Sequence, residues 1–155
     1  MDGGAAQAWF VAGTVPLIVA GGLHALGTLV DLVRPTFFIP VDRAAQPAME
    51  GTTVRLRGMF PRARARDRAE TPTVWNAWLG FNISHGLGVF GFGLLCLLIA
   101  VHDFALVERI DAILPLAVAF SAAFLAISIR FWFYGPVLIT ATSTACFAVA
   151  TVLSL

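Results

Sequence analysis

W-N-A-W-L-G-F-N-I-S-H-G-L-G, Trp75 to Gly88, opens an apolar run that continues to Val101. At about 1.5 Å per residue, these roughly 27 residues are long enough to cross a bilayer core of about 30 Å. The first half of the run holds two indoles, the amides of Asn76 and Asn82, His85 and the glycines 80, 86 and 88. A helix that only sits in lipid needs none of these. The stretch therefore predicts a spanning helix that carries a polar feature inside the membrane.

Three more runs have the same character: Ala8 to Val33, Ala112 to Phe133 and Pro136 to Leu155. Over 155 residues the chain is 59% hydrophobic and 12% charged, with a mean hydropathy of +0.86. A soluble domain carries about 45–50% apolar and about 25% charged residues. These observations predict an all-α fold, a transmembrane four-helix bundle with antiparallel up-down connections, filling residues 1–155 as a single domain. No soluble domain is left over, and no internal repeat is visible.

The first run ends at Arg34-Pro35, where proline disfavours helical geometry in the residue before it. A long loop, 34–74, follows. Between the last two runs, Gly135 permits a tight reversal and Pro136 suits the first turn of a helix, which predicts a helical hairpin. The connector between the second and third runs holds Asp103, Glu108 and Asp111 against Arg109. Cys96 and Cys146 lie in apolar runs without C-x-x-C spacing, so neither a disulfide nor a metal framework is expected. The opening M-D-G-G-A-A-Q lacks the basic region of a signal peptide, and the first helix is expected to be retained.

Charge sets an expected orientation. All ten basic residues are Arg, and eight of them lie between Arg34 and Arg68. That usage points to a GC-rich, bacterial genome and hence to a bacterial cytoplasmic (inner) membrane. The positive-inside rule places the 34–74 loop and the turn after Arg130 in the cytoplasm and both termini outside. Trp75, Trp78, Trp132 and Tyr134, with Phe37 and Phe38, then gather at one interface as anchors. Arg55, Arg57, Arg62, Arg64, Arg66 and Arg68 alternate with apolar or small residues and are candidates for contact with anionic lipid. The plainer reading is an ordinary positive-inside loop. Interleaved acidic residues and the lack of a reading module argue against nucleic acid as a partner.

Helical periodicity groups the polar and small residues of each run on one face. These faces hold Gly13, Ala20, Gly21, His24, Gly27, Thr28 and Asp31 in the first run, and Trp75, Trp78, Asn82, His85, Gly86, Gly93 and Cys96 in the second. The third aligns Ala112, Ala119, Ala123, Ala126 and Arg130, and the fourth Thr140, Ser143, Thr144, Thr151 and Ser154. Such seams let backbones approach closely, so they are expected to face one another. His24 and His85 lie at similar depth in an antiparallel pair. A polar cluster of His24, Asp31, Asn82, His85 and Arg130 follows, with Asp31 neutralising Arg130. The alternatives are interhelical glue for the His and Asn, and a snorkelling Arg130. No nucleophile elbow, phosphate loop or H-x-x-x-H pair is present, so neither catalytic residues nor metal ligands are assigned. Asn82-Ile83-Ser84 matches a glycosylation sequon inside a spanning helix and carries no such meaning there.

W-x-x-W-x-G-F-N-x-S-H-x-x-G, preceded by Pro47-Ala48-Met49-Glu50-Gly51-Thr52-Thr53, resembles the signature of an uncharacterised family of small bacterial membrane proteins with four helices. The resemblance spans roughly the first 95 residues. It implies the architecture and marks Trp75, Trp78, Gly80, Phe81, Asn82, Ser84, His85 and Gly88, and no activity comes with it.

The leading expectation is a non-catalytic integral membrane protein. It would be an accessory or scaffolding subunit of a larger membrane complex, or a binder of a small apolar ligand such as a lipid, quinone or pigment. Its partners would be lipids and other membrane subunits or further copies of itself. A b-type haem cytochrome with His24 and His85 as axial ligands is one alternative. The other is a small transporter or lipid-modifying enzyme using His85 as acid or base, with Asn82 orienting it.

Overall fold

The structure is a computed structural model that describes residues 3–42, 44–53 and 72–155. The helices are α1 (Gly3–Asp31), α2 (Ala45–Gly51), α3 (Val74–His102), α4 (Phe104–Arg109), α5 (Ile113–Phe131) and α6 (Tyr134–Leu153). Among the described residues there is no strand, and the one sheet-like feature is an antiparallel bridge between Thr53 and Thr73. α1, α3, α5 and α6 are long and apolar enough to cross a membrane, so the fold is that of a multi-pass helical membrane protein. α2 and α4 are short additions that periodicity does not announce.

Contacts divide the chain into two compact units, Met1–Leu23 with Gly86–Leu155, and His24–His85. The first unit is a four-helix bundle whose centre is Phe10. Its ring meets Phe147 of α6 at 5.1 Å and Phe104 of α4 edge-on at 6.0 Å. Ala6, Leu17, Val89, Cys96, Ala100, Val107, Leu114, Ala117 and Ala150 complete this core. Phe92 of α3 stacks on Phe120 of α5 with centroids 3.8 Å apart. Glycine sets the α1–α3 spacing: a Cβ on Gly21 would fall on the backbone nitrogen of Phe90 and 2.9 Å from the carbonyl oxygen of Gly86. Such backbone proximity is how helices associate where lipid supplies no hydrophobic drive. Both cysteines of this unit, Cys96 and Cys146, are free and buried.

Pro16 lies inside α1. It has no N–H, so the carbonyl of Ala12 loses its usual helical donor. Spanning helices tolerate this where hydroxyls and neighbouring helices support the backbone. Thr14, buried two residues earlier, donates to the Val11 carbonyl at 2.7 Å.

The buried face of α3 runs Trp75, Leu79, Asn82, Gly86, Val89, Gly93, Cys96 and Ala100, alternating steps of four and three. This is the expected face turned by about one position, so Trp78 and His85 flank it. On α6, Thr140 and Ser143 are buried as the sequence predicts. α5 differs: Leu114, Ala117, Ser121 and Ser128 point inward, whereas Ala112, Ala119, Ala123, Ala126 and Arg130 are exposed. Because α5 is apolar on nearly every side, a small-residue stripe did not distinguish inner from outer face.

The hairpin reversal also differs from expectation. Trp132 (φ −119°, ψ 175°) and Phe133 (φ −88°, ψ 178°) are both extended and make the turn between α5 and α6. Gly135 is already helical, with the Phe133 ring 3.2 Å from where its Cβ would stand.

Candidate functional site

The polar residues of the second unit are drawn together at the end of α1 and the start of α3. α1 stops at Asp31, whose side chain is 1% exposed. The chain then folds back, and the Asp31 carboxylate accepts three backbone N–H bonds. Those from Thr36 and Phe37 reach Oδ1 at 2.7 and 2.9 Å, and that from Phe38 reaches Oδ2 at 2.7 Å. A buried carboxylate is tolerable when its lone pairs are filled in this way. α3 starts where Thr73 accepts the Asn76 N–H at 3.1 Å, the usual service of a threonine at a helix N-terminus.

From there a continuous polar relay crosses the unit. The Trp78 indole donates to the Phe38 carbonyl at 3.1 Å. Asn82, 1% exposed, donates from Nδ2 to the Trp78 carbonyl at 2.8 Å, and its Oδ1 lies 3.0 Å from Nε2 of His24. Since a carbonyl can only accept, the Asn82 amide orientation is fixed by Trp78, and its oxygen must face His24. Nε2 of His24 therefore carries the hydrogen, and in the neutral ring Nδ1 is the acceptor. Thr28, one turn later, returns its hydroxyl to the His24 carbonyl at 2.8 Å.

Aromatic rings enclose the two histidines. His24 and His85 meet edge to face with centroids 5.3 Å apart and planes at 68°. Phe38 packs on His24 at 4.4 Å, and Phe81 stacks on His85 at 5.9 Å. Phe38 also rests on Gly27, where an added Cβ would come within 3.0 Å of its ring.

The structure thus brings His24, Asn82 and His85 together, with Asp31 joined to them through Thr36–Phe38. Three backbone donors occupy the Asp31 carboxylate. Arg130 belongs to the other unit, where its guanidinium lies 5.1 Å from the Phe131 ring centroid. Of the expected anchors, Tyr134 is exposed, Trp78 is partly exposed and hydrogen-bonded, Trp132 is half-buried, and Trp75 is buried within the fold. Arg55, Arg57, Arg62, Arg64, Arg66 and Arg68 lie outside the described residues.

Phe38 and its backbone are the members of the site that sequence reasoning missed as such. The available signal was a lone Asp at the last turn of a spanning helix, followed at once by a Pro-bounded segment, R-P-T-F-F-I-P.

The pair does not fit a bis-histidine haem. Such a cofactor needs both rings to aim a nitrogen at one iron from opposite faces of a macrocycle. Here the rings touch edge to face, and Nε2 of His24 is aimed at Asn82. The arrangement can hold helix ends and a loop segment in fixed register, since both polar ends of Asn82 and both carboxylate oxygens of Asp31 are in use. No protein-family model, curated protein or solved structure matches this chain.

Proposed function

We propose that this chain is a non-catalytic membrane subunit that associates, through the outer faces of its spanning helices, with another membrane protein or a further copy of itself. The observation that carries the reading is the outward placement of small residues. On α3, Gly80, Ser84, Gly88 and Gly91 are exposed, and a Cβ at any of the three glycines would meet nothing within 4 Å among the described residues. Their spacing keeps them within about a third of the helix circumference. On α5, Ala119, Ala123 and Ala126 form a second outward stripe. Lipid-facing positions have no need of small residues, whereas helix–helix association in membranes uses small-x-x-x-small faces.

The internal polar cluster supports the same reading. Its Asn, Asp and Trp side chains bind other parts of the fold, which suits a structural clamp better than a reaction centre. The setting we propose is the inner membrane of a bacterium, with the Arg-rich 34–74 loop on the cytoplasmic side. Kinship with the four-helix family that the Trp75 to Gly88 signature resembles belongs to this proposal.

Photo-crosslinking residues placed at Gly88 and Ala123, in cells expressing the chain at native level, test it. The expected result is a discrete crosslinked protein band from one or both outer positions and none from Val19, which is exposed on α1 and belongs to neither stripe. Crosslinks to lipid alone at all three positions would sink the reading.

A further inference from the structure

We propose that Thr36–Phe38 is a releasable strap over the His24–His85 pair, latched by the Asp31 carboxylate. The segment has no helical or sheet structure and lies between Pro35 and Pro40, neither of which has an N–H to offer. Thr36 and Phe37 are exposed, and Phe37 leaves 63% of its surface in the open. A segment so exposed would ordinarily fray. Apart from the local bond of the Thr36 hydroxyl to the Arg34 carbonyl, its described hydrogen bonds converge on two side chains: Asp31, which takes the N–H groups of Thr36, Phe37 and Phe38, and Trp78, which donates its indole N–H to the Phe38 carbonyl.

What the strap carries makes it a cover. Its last ring, Phe38, lies 4.4 Å from the His24 ring, which also meets His85 at 5.3 Å. Gly27 provides the seat, since any larger residue there would press on Phe38. Three hydrogen bonds to one carboxylate stand or fall together, so Asp31 is the latch and the Trp78 indole a second, single tether. With the latch open, Phe38 lifts from His24, and the imidazole edge becomes reachable from the membrane surface where α1 ends. The Trp78–Asn82–His24 relay connects the same strap to the ring it covers, so lifting Phe38 also removes the acceptor of the Trp78 indole.

The geometry supplies its own test. The Cβ position at Gly27 lies 3.7 Å from Cβ of Phe37, close to the roughly 3.8 Å spacing of a disulfide. The full-length chain with Gly27→Cys and Phe37→Cys, in lipid nanodiscs, locks the strap on oxidation, the Phe38 ring giving by a few tenths of an ångström. Modification of His24 by diethyl pyrocarbonate is then followed by peptide mass spectrometry, with exposed His102 as internal reference. The expected result is labelling of His24 at least about fivefold slower in the oxidised than in the reduced protein, with His102 unchanged.

Asp31→Ala in the native chain is expected to speed His24 labelling by about the same factor, and Trp78→Phe to act in the same direction while keeping an aromatic ring. Failure of the disulfide to form in folded protein overturns the proposal. So does equal labelling of His24 in the locked and unlocked chains.

Discussion

Asn82 shows what a single buried side chain settles in this protein. It is hydrogen-bonded at both ends, so each substitution has a predictable sign. Asn82→Ala removes two interhelical or intrahelical bonds that in membranes average about 0.6 kcal/mol each, and is expected to cost about 1–2 kcal/mol. Asn82→Asp is expected to cost more, because it sets a carboxylate oxygen against the Trp78 carbonyl and leaves a charge in the membrane. Unfolding by denaturing detergent in mixed micelles checks the order Asn, Ala, Asp. The fixed amide also sets the His24 tautomer: nitrogen NMR of the labelled protein should show the hydrogen on Nε2 in the neutral ring, and a dominant Nδ1–H form would contradict the relay. Ser143 is the opposite case. Its hydroxyl is fully buried and has no hydrogen-bond partner among the described residues. Ser143→Ala is therefore expected to stabilise the fold by about 1 kcal/mol, whereas Ser121→Ala, which loses a bond of 2.9 Å to the Ala117 carbonyl, is not.

Elements differ in how much their glycines matter. Gly21 faces the backbone of α3, and Gly91 faces nothing within 4 Å among the described residues. Gly21→Ala is expected to cost about 2 kcal/mol or more through forced separation of α1 and α3. Gly91→Ala is expected to be neutral or slightly stabilising for the isolated chain, because alanine favours helix. Thermal unfolding of the two variants side by side separates these outcomes. The same contrast explains what could be read from sequence. The four spans were legible because length and apolar content alone define them, and the α3 face was legible to within one position because Asn82, Gly86 and Gly93 interrupt an apolar run. The inner face of α5 was not, since Ala119 and Ala117 look alike when every side is apolar. Nor was the role of Asp31, because three backbone donors from Thr36–Phe38 depend on a reversal of the chain that no periodicity encodes. Gly135 drew the hairpin turn to itself by residue type, while the extended Trp132 and Phe133 make it.

At the scale of the whole molecule, two kinds of small-residue face coexist. Gly13, Gly21 and Gly93 are spent inside the first unit, each with neighbouring atoms within 3.2 Å of where its Cβ would stand. Among the described residues nothing stands within 4 Å of a Cβ at Gly80, Gly88 or Gly91, and this open face is the basis for reading the protein as a subunit. The most direct test is the native mass of the protein in nanodiscs cut from membranes without detergent, comparing the natural chain with Gly88→Ile and Gly91→Ile. The natural chain is expected to migrate as an assembly larger than a single 16.5 kDa chain, and each variant to fall to the single-chain mass while keeping its helix content and unfolding temperature. A natural chain that is already alone in its disc, or variants that keep the full assembled mass, would contradict the account.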